Sequence, residues 1–446
     1  MKKWLLFLSI GAILASLTAC ASGGGGETAE KQTKDGKTLL TMSVQESSPY
    51  YETLEKTFEA KNPDIDLEIH SYKNVGEKWG PGDFEKYQKT TNTAMLSGKG
   101  MDIIEMGGLP LEDYVSKKLL LNMNDRMEQD QTLDKNDMMN SVLDVLKLDG
   151  GLYTVPSGYF VRTFVGDGDI LKSSQVKLDD KTWDWKEFER VSKEMIQQAE
   201  KSGKKNLYAL AFYPPDILLQ EMLVDNYAQF VDNMAKKAKF DSPEFVTMLE
   251  QIKSMYDNKI VTEESAEEGQ QLFYSSAILS PTDFIEGPYM LFENPTFIHT
   301  PRSGKGDGER GSRVIPASQF AIHAKSPVQD EAWKLITFML SEEGQTLQER
   351  EGFSLLKSVN EKNMNDLQKR VTSGEYKLPT GEAPKVTGEQ FDVMKQLILN
   401  ANEYTGLNGE VLMIAGEESQ AYFSGQKSAE EVAKLIQNRT TTYLNE

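Results

Sequence analysis

A chain of 446 residues is too long for one small core and implies two lobes or domains. Its 39% hydrophobic content is ordinary for a globular body, and a net charge of −20 repels nucleic acid and anionic lipid headgroups, which disfavours a nucleic-acid role. The single cysteine, Cys20, excludes an intrachain disulfide.

Lys2 and Lys3 precede an apolar run from Trp4 to Leu17, which is too short for a stable membrane span and has the form of an export signal over residues 1–19. Leu17-Thr18-Ala19-Cys20 follows and resembles a bacterial lipobox, which implies acylation of Cys20. Each buried acyl methylene contributes ~0.8 kcal/mol, so several chains make a lasting anchor. Residues 20–37 are glycine-rich and then charged, and read as a flexible tether.

Thr38 to Val44 reads as a strand, followed by a loop holding Glu46 and Tyr50 and a helix to Ala60 with Leu54 and Phe58 inward. Asp64 to His70 alternates strictly, so it is a second strand, and strand–helix–strand implies a parallel pair. His70 and His323 fall in strands, and no ligand-type spacing joins them. A loop from Val75 to Gly82 carries Trp79. A helix from Asp83 to Ser97 should turn Phe84, Tyr87 and Met95 inward, before a third strand over Met101–Met106. Ligands of open α/β sheets sit beyond the carboxyl ends of strands, which places Glu46, Tyr50, Gly107 and Gly108 at a cleft.

Gly151-Leu152-Tyr153-Thr154-Val155-Pro156 leads into Tyr159, with Arg162 beyond it as either an anion clamp or the partner of an acidic neighbour. Asp184 and Glu187 form a capping-box pattern, and Trp183 can pack on Phe188, which explains the two tryptophans structurally. Tyr208 to Phe212 reads as a strand whose end presents Tyr213 and Asp216. A helix is expected from Thr262 to Tyr274, then a strand toward Asp283 and Phe284. Gly306 to Gly311 matches G-x-G-x-x-G without the strand-before, helix-after context of a dinucleotide site, so a surface hairpin loop is expected.

Gln319 to Lys325 alternates as a strand. Ser326 reads as an N-cap, Pro327 as the first helical residue and Gln329 as the closing residue of a capping box, with Trp333, Ile336, Met339 and Leu340 on one face. A second helical segment runs from Ser341 to Glu351. Helices follow over Glu361–Arg370, about Phe391–Asn400 (helical or extended), Asn408–Phe423 and Ser428–Leu444, with Tyr404 in a connecting segment.

Three stretches, LSGKGMDIIEMGG with LEDYVSKKLLLNMND, the strand–helix–helix–glycine order of Gln319–Phe353, and FSGQKSAEEVAKLIQ, resemble the family 1 extracellular solute-binding proteins of ABC importers from about Leu39 to the end. The resemblance implies an α/β, two-lobed periplasmic-binding-protein-like fold of type II, the maltose-binding-protein-like form. One lobe would comprise 38–156 with 317–352 and the other 157–316 with 353–446. It implies a monomeric, lipid-anchored receptor on the outer face of the cell membrane, with no catalytic residue, cofactor or metal. Its partners would be importer permease subunits and a sugar or oligosaccharide. Family positions near the crossover, the 277–284 segment and the C-terminal part suggest ligand contacts from Tyr159, Asp283, Phe284 and Tyr404, beside Trp79, Tyr213 and Asp216. The 277–284 match lacks the family's glycine-rich, tryptophan-bearing pattern. Two other readings stand beside this one: a receptor for a cationic or peptide ligand, suggested by the acidic composition, and a secreted glycoside hydrolase. No His-Glu-x-x-His or Gly-x-Ser-x-Gly occurs.

Overall fold

The computed structural model describes residues 31–203, 205–302 and 311–445. In chain order the strands are β1 (Thr38–Glu46), β2 (Ile65–Lys73), β3 (Ile103–Glu105), β4 (Val155–Pro156), β5 (Tyr159–Asp167), β6 (Val231–Asp232), β7 (Lys237–Ala238), β8 (Phe273–Ile278), β9 (Pro295–Ile298), β10 (Ser312–Pro316), β11 (Gln319–Ile322) and β12 (Ala401–Glu403). The first sheet has the order β2-β1-β3-β11-β4; the second has β12-β10-β5-β8, with β9 also on β5. The chain therefore is the expected α/β fold, with two separate five-stranded sheets and a small β6–β7 hairpin.

The first sheet follows from alternation. Ile65 and Leu67 are buried while Asp66 and Glu68 point outward, and β1 pairs in parallel with both β2 and β3. A parallel pair needs a crossover, supplied by the helix Pro49–Lys61 with Leu54 and Phe58 fully buried. The second sheet is covered on both faces. Tyr159, Val161 and Ile278 join one core with Phe284, Phe353 and Phe391, while Phe164 and Phe273 join another with Trp183 and Phe188.

Three short crossings connect the sheets, and their backbones pair: Ser157 N donates to Ser318 O (2.8 Å), and Tyr159 N to Phe353 O (3.1 Å). Gly158 is required there, because an added Cβ would lie 2.6 Å from Glu351 O and 2.8 Å from Phe353 O. Arg350 and Gln345 tie the crossings together; Gln345 Nε2 donates to Ser157 O at 3.1 Å.

Several local expectations are corrected. Thr262–Tyr274 is not a helix: it lacks an apolar stripe, and its apolar residue Leu272 is used in pairing with Tyr208 before β8 begins. The helix expected to start at Pro327 is Gln329–Leu340, because the Ser326 hydroxyl donates to buried Asp102 (2.8 Å) and Gln329 Nε2 to Ala324 O (2.7 Å). Asp184 accepts from Glu187 N (2.8 Å), but the Glu187 carboxylate turns to Arg190, so the box is half made. The Ser341–Glu351 helix is only Glu342–Gln345. Residues 31–37, expected to be free tether, are held on the first sheet by Leu39 N to Lys31 O (2.9 Å) and Lys31 Nζ to Asp102 (3.0 Å). The export signal, Cys20 and most of the Gly306–Gly311 motif lie outside the described residues. No helix among the described residues is long and apolar enough to cross a membrane.

Candidate functional site

The carboxyl ends of β1 and β3 bring Gln45, Glu46, Gly107 and Gly108 together. Glu105 accepts from Gln45 N at 2.7 Å, and the Gln45 amide donates to Gly107 O. Gly108 has φ +67°, and a Cβ there would lie 2.2 Å from Phe84 Cζ, so this turn needs glycine both for its backbone and for the ring above it. Trp79 stacks on Tyr72 with centroids 5.7 Å apart, and Phe84 meets Trp79 edge-on at 6.0 Å. Trp79 Nε1 donates to Glu46 (3.3 Å), and Lys73 Nζ lies 5.9 Å from the Trp79 ring while paired with Asp83 at 2.8 Å. Phe84, expected inward, is 43% exposed. This end of the first sheet thus presents an open aromatic face beside a carboxylate.

A cavity of about 370 Å³ lies between Val145 and the segment 402–405, with Asp225, Arg302 and Arg313 on its other walls. The helix Pro215–Phe230 supplies the acids. Its Leu218, Leu219, Met222 and Leu223 are buried, and Glu221 and Asp225 are buried with them, facing guanidinium groups from β5 and β10. Arg162 pairs with Glu221; Arg313 Nη2 lies 3.3 Å from Asp225 and 3.9 Å from Glu221; Arg302 pairs with Glu403. Trp185 Nε1 also donates to Asp225 (3.3 Å). Burial pushes the Asp225 carboxyl up, against the pull of Arg313 and Arg302. Burial would lower Arg162, but Glu221 and Tyr213 together outweigh it and the pKa is raised.

The residues named from sequence divide into three groups. Glu46, Trp79, Gly107 and Gly108 stand together at the first sheet, and Tyr404 lines the cavity. Tyr213 is half-buried; burial raises its hydroxyl pKa and Glu221 raises it further. The others are structural. Tyr159 is fully buried, donates to Ile398 O (3.1 Å) and packs on Phe353 at 5.9 Å; Phe284 is fully buried against Phe297 and Phe353. Both are corrected from cleft contacts to core. Tyr50 is buried against Tyr51, Asp283 accepts from Leu279 N and Ser280 N (2.7 and 2.8 Å), and Asp216 sits in a first helical turn. Arg162 takes the paired role. Sequence reasoning missed Phe84 as a surface ring and also Glu221, Asp225, Arg302, Arg313 and Glu403. The available signal is Glu221 and Asp225 at i, i+4, interleaved with the apolar Leu218, Leu219, Met222 and Leu223.

A family model described as bacterial extracellular solute-binding protein matches residues 43–346. Among solved structures, an extracellular solute-binding protein family 1 member from Alicyclobacillus acidocaldarius aligns with TM-score 0.58 at 14% identity, over 92% of this chain and 99% of that one. A periplasmic oligogalacturonide binding protein from Yersinia enterocolitica aligns with TM-score 0.58 at 17% identity, over 92% and 99%. The sugar-binding protein MalE from Xanthomonas citri aligns with TM-score 0.56 at 17% identity, over 92% and 98%. At these identities the likeness is one of fold.

Proposed function

The chain belongs to the bacterial extracellular solute-binding proteins, the receptors of ABC transporters, and from that premise we propose that it captures a carbohydrate, most simply an oligosaccharide, by closing two lobes around it. One lobe comprises residues 38–156 with 317–352 and the other 157–316 with 353–446. In support, β1–β4 and β11 share one sheet, while β5, β8, β10 and β12 share the other. The observation that carries the ligand class is Phe84, exposed beside Trp79 and Glu46. An aromatic face suits the C–H face of a sugar ring, and a carboxylate suits its hydroxyls. The Xanthomonas structure, described as a sugar-binding protein, agrees with this chemistry, and the Yersinia structure, described as oligogalacturonide-binding, agrees with the glycan class alone. Closure follows from differential affinity: a ligand touching both lobes favours the closed form only by as much as it binds that form better.

The receptor works as a monomer tethered through acylated Cys20 outside the cell, hands its cargo to permease subunits and performs no turnover. Titration of purified protein with an oligosaccharide panel, read by calorimetry, product chromatography and small-angle scattering, tests this. Binding with a smaller radius of gyration and no cleavage is expected. Catalytic release of shorter glycans, or binding only by polyamines or peptides, would overturn the reading. Cys20→Ser should release the protein from membranes, and persistent membrane association would refute the tether.

A further inference from the structure

We propose that the cavity wall formed by Arg313 and Asp225, with Glu221 behind it, selects an uncharged polyhydroxyl ligand and rejects both uronic-acid and amino sugars. This rests on the carbohydrate reading above and narrows it. Arg313 and Asp225 line the cavity with Nη2 3.3 Å from the carboxylate, and Arg302 and Glu403 line it as a second pair. Glu221 stands behind them, 3.9 Å from the same nitrogen. Guanidinium donors and carboxylate acceptors therefore line the cavity side by side, and a ligand group that leaves either unmatched is penalised. A hydroxyl both donates and accepts, so neighbouring hydroxyls of one sugar can serve both.

A charged ligand is opposed by the same wall. Arg162 and Arg313 face Glu221 and Asp225, and Arg302 faces Glu403, so every charge already has its opposite. A ligand carboxylate reaching Arg313 would lie close to Asp225 and Glu221. A ligand ammonium reaching Asp225 would meet Arg313. Either brings a like charge into a desolvated site.

The test is an array of neutral, uronic-acid and amino oligosaccharides, with the strongest binders of each class titrated by calorimetry. Neutral glycans should bind more tightly by about tenfold or more. Asp225→Asn leaves Arg313 less matched and should move the preference toward uronates; Arg313→Gln should move it toward amino sugars and weaken neutral binding by roughly tenfold to a hundredfold. Asp225→Asn alone decides the matter if Arg313→Gln does not fold. A uronate or amino glycan as the strongest binder of the unaltered protein, or no change of preference in Asp225→Asn, overturns the selection while leaving a sugar receptor. No saccharide binding in any class overturns the carbohydrate reading itself.

Discussion

Asp113 and Lys236 approach to 3.7 Å across the gap between the two parts of the fold. Asp113 lies on the helix Leu111–Ser116 beside the first sheet, and Lys236 on the β6–β7 hairpin that follows the helix Pro215–Phe230. Next to this pair, Asn233 Nδ2 donates to Glu112 at 3.4 Å. Elsewhere on the boundary Glu85 lies close enough to raise the Glu410 pKa, after burial and Glu417. In the closure proposed above, the Asp113–Lys236 attraction and the Glu85–Glu410 repulsion act in opposite directions.

Lys236→Glu should move that balance toward the open form. The pair is partly exposed, so its loss amounts to under about 1 kcal/mol, but the reversed charge adds repulsion from Asp113 and Glu112. A larger radius of gyration without ligand is expected at low salt, fading as salt screens the contact, with an unchanged melting temperature. Identical scattering in both proteins at low salt would show that the contact does not govern closure.

Tyr159→Ala and Phe284→Ala should each cost about 3–5 kcal/mol of stability, because both rings are fully buried and cannot be removed without a cavity. Phe84→Ala, by contrast, removes a 43% exposed ring and should change stability by less than about 1 kcal/mol while weakening glycan binding. Urea unfolding of the three variants separates core from surface. Equal losses in all three would remove Phe84 from the site.

These three rings also show what could be read from the chain. Alternation over Ile65–Ile69 and the helix stripes at Leu54 and Phe58 gave the first sheet its elements, because burial there follows local periodicity. Position just past the crossover points Tyr159 to the cleft, and the partial family resemblance of 277–284 points Phe284 there, but both rings turn inward onto Phe353, which nothing local in the sequence reveals. The ion-pair wall was harder still. Arg162, Glu221, Arg302, Arg313 and Glu403 come from five separate segments, and only the Glu221–Asp225 spacing betrays it locally.

Arg350→Lys should cost about 2–3 kcal/mol. Arg350 is a half-buried cation that donates to five main-chain carbonyls: Gln345 O at 2.8 Å, Glu351 O at 2.9 Å, Gly352 O at 3.1 Å, and Ser157 O and Phe353 O at 3.3 Å. A planar fork reaches both sides of the crossing at once, which a point-like ammonium on a single stem does not. Urea denaturation would detect the loss, and an unchanged midpoint would mean the crossings are held by their backbone pairing and Gln345 alone.

Asp102 and Asp225 are both buried, yet they should contribute to the pH dependence of stability with opposite sign. Burial opposes the Asp102 charge, but Thr41 N (2.9 Å), Thr41 Oγ1 (2.7 Å), Ser326 Oγ (2.8 Å) and Lys31 Nζ (3.0 Å) outweigh it and hold its pKa below the ordinary value. Its unfolded form binds the proton more readily, so its stabilisation is complete above the unfolded pKa of about 3.9 and is lost as pH falls through the folded value. Asp225 is raised by burial despite Arg313, Arg302 and the Trp185 indole, with Glu221 adding to the rise. Its folded form binds the proton more readily, so it favours the folded state at low pH and loses that contribution as pH rises from about 3.9 through the raised value. Asp102→Asn should therefore cost about 2–3 kcal/mol near neutrality and flatten the acid limb of the stability curve. Asp225→Asn removes a gain on acidification and should steepen that limb. Urea unfolding at intervals from about pH 7 down to about pH 3.5 measures both slopes. Two slopes that shift in the same direction would mean that the ion pairs around Asp225 keep it charged as firmly as the donors around Asp102 do.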